Sequence, residues 1–208
     1  MRPMTANETP KSGTKTRYHH GDLRQALIAA TRELLVERGA ANFTLADACR
    51  LAGVSTAAPY KHFRDRLEVL EEIAEQGFND LRERSGAAIA TSGPGTLEGI
   101  IAMGQAYVAF AVAEPAVFRL MFGQNPALKK AKDVSDSGHA CFAGVIDQVA
   151  LFCSQNAVQG DAKAIALTLW TFVHGAACLL IDDDYQQVAP GLDVEALIRT
   201  AAPKLLVG

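Results

Sequence analysis

Between Thr44 and Arg66 the chain reads TLADACRLAGVSTAAPYKHFRDR, a stretch dense in hydroxyls and cations. Thr44 can cap one short helix, with Asp47 three residues on completing a capping-box-like pair. Gly53 ends that helix, because a tight turn suits a residue tolerant of positive φ. Ser55 caps again at once, and a second helix is expected over Thr56 to His62. So short a helix is not stable alone. Its residues are too polar and small-sided for a core element, so its outer face is for contact, as in a helix-turn-helix. The chemistry on offer is hydrogen bonding rather than bond making. Lys61 can donate to guanine acceptors, and hydroxyls and helix N-termini suit phosphates. The same residues also fit a helical hairpin packed inside some other fold.

A second constellation lies further on. Met103, Tyr107, Phe110, Phe118, Met121, Phe122, Phe142, Trp170, His174 and Cys178 recur at helical spacings in a chain only 7% aromatic. Ordinary core packing is the default reading of such a set. A concave apolar pocket with few polar groups, as small ligands require, is the other. His174 is the best polar candidate within it, with Tyr107 and Trp170 as hydrogen-bonding partners. Catalysis finds no footing: there is no nucleophile elbow, phosphate loop, paired-carboxylate spacing or zinc pattern. Asp182 to Asp184 lacks the spacing of a calcium loop. His19 and His20 lack a third ligand. No metal and no cofactor is expected, and the chain is not read as an enzyme.

The 208 residues suit one or two domains, and 49% are apolar with alanine prominent. Val/Ile/Thr alternation is scarce, which favours an all-α fold. No apolar run reaches the roughly 18 to 20 residues of a membrane span, and no signal core opens the chain. A cytoplasmic protein without membrane contact is expected. Cys49, Cys141, Cys153 and Cys178 have no metal-ligand spacing and read as small buried apolar residues. The net charge of −3 hides an asymmetry. Residues 1–66 hold eleven Lys and Arg against six Asp and Glu, a balance of +5, and residues 67–208 hold nine against seventeen, a balance of −8. A basic head on an acidic body fits a nucleic-acid-binding module joined to a second unit.

In chain order, residues 1–16 read as a disordered tail. Asp22 is expected to cap a helix that Gly39 closes, and Asp65 with Glu68 forms a further capping box opening a long helix to about Ser85. Thr91 to Gly95 is a loop. Helices follow from Thr96 to Ala113, from Pro115 to Phe122, and up to about Ser154. Ser135 to Gly138 reads as a loop or a lead-in to the last of these. A helix from Gly160 to about Ile181 and a last one capped by Asp193, bent or ended near Pro203, complete the chain. These last two expose apolar faces, and Leu197 and Ile198 are assigned to a dimer interface.

Ala52-Gly53-Val54-Ser55, Tyr60-Lys61-His62-Phe63 and Asp65-Arg66 resemble the DNA-binding signature of the tetracycline-repressor (TetR) family. Tyr18 to Leu23 and Trp170-x-x-x-His174-Gly175 extend the resemblance toward one subgroup. Ala48-Cys49 stands where Ile-Ala is usual, Arg66 where Lys is usual, and Pro59 where Leu or Ile is usual. Proline costs roughly 3 kcal/mol inside a helix, but at the fourth position it should disturb only the opening turn.

The resemblance implies a helix-turn-helix domain over 17–65 and a helical ligand-binding and dimerisation domain over 66–208. Thr56, Ala57, Ala58 and Lys61 would face base edges. Thr44, Ser55, Tyr60, His62 and Arg66 would face phosphates, with Arg17 as a basic arm. The implied function is a ligand-responsive transcriptional regulator, in repressor form. It would bind a palindromic double-stranded operator as a homodimer and be released by a small apolar effector. The alternative is a helical ligand-binding or interaction protein without specific DNA binding.

Overall fold

The computed structural model describes residues 20–57 and 59–207. The expected tail, Arg17 and Ala58 lie outside the described residues. Ten α-helices and one 3-10 turn make up the secondary structure, and no strand occurs among the described residues. The chain is all-α.

The helices of the head are α1 (His20–Arg38) and α2 (Leu45–Leu51), followed by the 3-10 turn Pro59–Lys61. Helix α1 begins two residues ahead of Asp22, so Asp22 sits inside the helix rather than at its cap. Thr44 and Asp47 form the full capping box on α2. The Asp47 carboxyl is held below its ordinary range by the hydrogen bonds Thr44 donates. At the other end Gly53 takes φ +68°. Its N–H reaches the Arg50 carbonyl at 3.2 Å while the Val54 N–H reaches Cys49 at 2.9 Å. This is the paired C-terminal closure that a glycine in the left-handed region permits.

Helix α3 (Arg66–Ser92) runs from head to body, seven residues beyond its expected end. Gly86 does not stop it; Gly93-Pro94 does, since proline cannot continue a helix. Asp65 accepts from the Glu68 N–H at 3.1 Å, but the Glu68 carboxylate reaches past Asp65 to the Arg64 N–H at 2.6 Å. The expected reciprocal box is therefore one-sided. The body continues with α4 (Leu97–Ala113), α5 (Pro115–Phe122), α6 (Pro126–Lys130) and α7 (Lys132–Asn156). It ends with α8 (Ala162–Ile181), α9 (Asp184–Val188) and α10 (Val194–Val207). Helix α7 absorbs Ser135 to Gly138. Helix α10 passes through Pro203 unbroken, losing one amide donor rather than its last turn.

Two apolar cores result. One joins head to body: Leu27, Leu34, Phe43, Cys49 and Phe63 are continuous with Leu70, Ile73, Phe110, Phe118 and Met121. The other, at the far end of the body, gathers Ile100, Val149, Phe152, Leu169 and Leu206. Helices α3 and α5 meet closely because Gly77 has no side chain: a Cβ there would lie 2.6 Å from Met121 Sδ and 2.8 Å from Val117 Cγ1. Helix α8 is 20 residues long and, contrary to the sequence reading, apolar enough by length and composition to cross a bilayer. Only 28% of its most apolar window is buried within the chain.

Candidate functional site

In the head the expected helix over Thr56 to His62 is reduced to one tight turn. Thr56 and Ala57 lie in a turn, and among the described residues of this stretch only Pro59–Lys61 is helical, with 3-10 geometry. Proline explains the loss. A helix capped at Ser55 would begin with the residue-59 amide donating back to the Ser55 carbonyl, and Pro59 has no such hydrogen. Proline also disfavours the α conformation in the residue before it. A hydrogen-bonded helical turn forms only from Pro59 onward, where its carbonyl accepts from both the His62 and the Phe63 N–H at 2.8 Å. Asp65, in extended conformation, then caps α3 and leaves no room for a second turn.

Pro59 and Phe63 face inward, while Tyr60 and Lys61 between them face out. Ser55, Thr56, Ala57, Tyr60 and Lys61 are exposed and contiguous, and Tyr60 keeps 66% of its surface. Thr44 is exposed beside them, although its hydroxyl is already engaged with Asp47. His62 is half-buried. Arg66 is used differently from expectation. Its guanidinium donates to the Ala40 carbonyl at 2.6 Å and the Phe43 carbonyl at 3.0 Å, and lies 5.2 Å from the Phe43 ring centre. Arg66 therefore ties the α1–α2 connection to the start of α3. A second clamp joins α1 to α3: Arg24 grips Glu72 in a two-pronged pair at 2.8 and 2.7 Å, which holds the Glu72 carboxyl below its ordinary value.

In the body a cavity of about 480 Å³ is lined by members of both cores. Helix α3 supplies Phe78, Leu81, Arg82 and Ser85; α4 supplies Met103 and Tyr107; α7 supplies His139, Phe142 and Gln148. Trp170 and Val173 of α8, Phe122 of α5 and Ile198 of α10 complete the wall. Of the sequence candidates, Met103, Tyr107, Phe122, Phe142 and Trp170 line this space. Phe110, Phe118 and Met121 do not: they are buried in the head-to-body core, the two phenylalanines each 1% exposed.

His174 and Cys178 are also off the lining, behind Tyr107. Tyr107 Oη accepts from Trp170 Nε1 at 3.3 Å and shares a hydrogen bond with His174 Nδ1 at 2.8 Å. On its other side His174 Nε2 lies 3.7 Å from Cys178 Sγ. Burial pushes the His174 pKa down and the Tyr107 hydroxyl far up, so both stay neutral. The imidazole thus holds the orientation of Tyr107 from outside the lining. Trp170 bonds to Tyr107, and touches His174 only ring to ring at 5.4 Å.

Ile198 is 3% exposed, packed toward Gly104 and the cavity, so it is no part of a surface between subunits. Leu197 is half-buried. The apolar surface left open is on α8, where Ala164, Leu167, Thr168, Thr171 and Leu179 are exposed along one face. Gly175 lies between them with nothing within 4 Å of where a Cβ would stand. Arg82, Ser85, His139 and Gln148 went unread in the sequence. The available signal was helical spacing: Arg82 and Ser85 fall four and seven residues after Phe78, on the same side of α3.

A head with a helix-turn-helix and a helical body around a cavity define a class of bacterial regulator. Residues 27–73 match the profile of bacterial regulatory proteins of the tetR family, and residues 100–203 match a tetracyclin repressor-like C-terminal domain. The chain belongs to the TetR family of transcriptional regulators. A solved Rhodococcus sp. RHA1 protein of unknown function is 32% identical over 92% of this chain and 97% of its own, with a TM-score of 0.80. The TetR-family transcriptional regulator PfmR of Thermus thermophilus shares the fold at 15% identity, covering 88% of this chain and 97% of its own, with a TM-score of 0.65. The transcriptional regulator CymR of Pseudomonas putida is 41% identical over 68 residues, 33% of this chain and 34% of that protein. The resemblance to such curated relatives thus spans about a third of their length.

Proposed function

We propose that the chain binds a two-fold symmetric DNA site as a homodimer, acts as a repressor, and releases DNA when an effector fills the body cavity. The observation that carries this is α3 itself. At its start Arg66 and Glu72 clamp it to the head, and further along Phe78, Leu81, Arg82 and Ser85 form a wall of the cavity. At 1.5 Å per residue its 27 residues span about 40 Å, so a small tilt at the cavity displaces the head. On the DNA side, Thr56, Ala57 and Lys61 reach base edges, joined by Ala58. Ser55 and Tyr60 reach phosphates, with Thr44 and His62 beside them, and Arg17 serves as a basic arm. Arg66 acts through its grip on the α1–α2 connection.

The open face of α8 is the dimer surface, with Leu197 of α10 alongside. Its uncovered apolar stripe reads as a subunit seam rather than a lipid-facing span, because Thr168 and Thr171 lie within it. The two heads must then meet half-sites about 34–36 Å apart. The effector is a small, largely apolar molecule, and the protein works in the cytoplasm where its DNA is. Selection of duplexes from a random pool by the purified protein should return an inverted repeat. Return of an asymmetric motif, or of no motif, would sink the reading.

A further inference from the structure

Resting on the effector reading, we propose that the cavity takes an organic anion: an apolar body ending in one carboxylate, received by Arg82 at the mouth between α3 and α7. The inner walls are aromatic and aliphatic, with Phe78, Phe142 and Trp170 among them. Among the described residues, Arg82 is the only arginine or lysine on the lining, and no aspartate or glutamate stands there to offset it. Most arginines nearby are already spoken for. Arg84 is paired with Asp80 through two bonds of 2.9 Å, Arg119 with Asp182, and Arg199 with Glu98. Arg82 makes no ion pair among the described residues; its guanidinium donates to the neutral Asn79 side chain at 3.3 Å.

The field of Arg82 already reaches into the cavity. It opposes, without cancelling, the burial that pushes the Cys141 thiol up to about 11. A guanidinium beside a low-dielectric wall attracts an anion more strongly than one in open water. Ser85, His139 and Gln148 add polar groups to the lining. One cation suits one carboxylate. A polyphosphate would need several, and a cationic ligand would meet repulsion.

The test uses decanoate and 1-decanol, both below self-association, titrated against the fluorescence of Trp170, the single tryptophan. Wild type is compared with Arg82→Gln, a change at the cavity mouth that leaves the core untouched. The ratio of decanoate to decanol affinity should fall about fivefold in Arg82→Gln, as loss of a half-solvated ion pair implies. In wild type the ratio should also fall as salt rises. Binding of both probes with the ratio unchanged by Arg82→Gln would overturn the anion assignment and leave the effector cavity standing. If neither probe alters Trp170 up to its solubility limit, the cavity reading and the anion assignment fall together.

Discussion

The two ends of α3 present function in opposite ways. At the head the side chains proposed for contact stand outward on a single turn, and what supports them is backbone chemistry. The supports are a capping box at Thr44, the left-handed Gly53, the carbonyl of Pro59 and the Arg66 clamp. In the body the side chains proposed for function surround a hole, and what supports them is other side chains. Tyr107 is held by Trp170 and His174, and Phe122 packs edge-on against Phe78 at 5.4 Å. Head and body should therefore fail differently. Head substitutions should cost DNA affinity and spare stability, while body substitutions should first cost stability.

The largest expected effect tests the buried half of that contrast. Phe118→Ala removes a side chain only 1% exposed and should cost about 3–5 kcal/mol in urea unfolding. A loss below about 1 kcal/mol would place Phe118 at a compliant wall instead of a packed core.

Charge on the open face of α8 comes next. Thr171→Arg, exposed and off the cavity lining, should yield monomers in sedimentation and weaken operator binding by about a hundredfold, as loss of two-headed binding implies. Monomeric wild-type protein at tens of micromolar, a range where obligate dimers persist, would remove α8 as the seam.

The exposed half of the contrast is sharpened by Lys61 and Tyr60. Lys61→Ala should cost about 1–3 kcal/mol, concentrated at one operator position, and Tyr60→Phe should cost less and equally on all sequences. Both should unfold within about 0.5 kcal/mol of wild type. A stability loss beyond that, with DNA affinity intact, would break the contrast from the head side.

The smallest effect is a slope with pH. His174 has a folded pKa depressed by burial, so the fold favours neutral imidazole. Its contribution is complete above the unfolded value of about 6.5. Below that pH the unfolded chain takes up a proton that the folded chain resists, and stability falls until the folded imidazole also protonates. His174→Phe should therefore show a shallower loss of stability between about pH 7 and pH 5, whatever its absolute stability. Equal slopes for the two proteins would mean that burial does not hold the His174 imidazole neutral.

Much of the head was legible because its determinants are local. Thr44 with Asp47, Gly53 with Val54, and Asp65 with Glu68 act across a few residues, and each appears in the chain as a short pattern. The expected helix over Thr56 to His62 failed because the Pro59 cost is more than a lost bond in an opening turn. Between two caps ten residues apart that missing bond was the start of the helix, and a single 3-10 turn was what remained. Helix positions in the body were legible for the same local reason, from Thr96, Pro115, Asp161 and Asp193.

What the sequence by itself determined, then, was the all-α class, the family and the order of the longer helices, but not the short α6 and α9. Only the tertiary structure decided which apolar residues face a space and which face each other. Phe118 and Phe122 sit four residues apart on α5, yet one is core and the other cavity wall. Ile198 looked like a surface for a partner until α4, bare at Gly104, came close enough to cover it. Arg82 gained its meaning because, among the described residues, no carboxylate stands on the cavity walls that distant helices supply. Periodicity tells which side of a helix is apolar, but not what stands opposite. That depends on packing between elements far apart in the chain, where one missing Cβ changes the distance between helices.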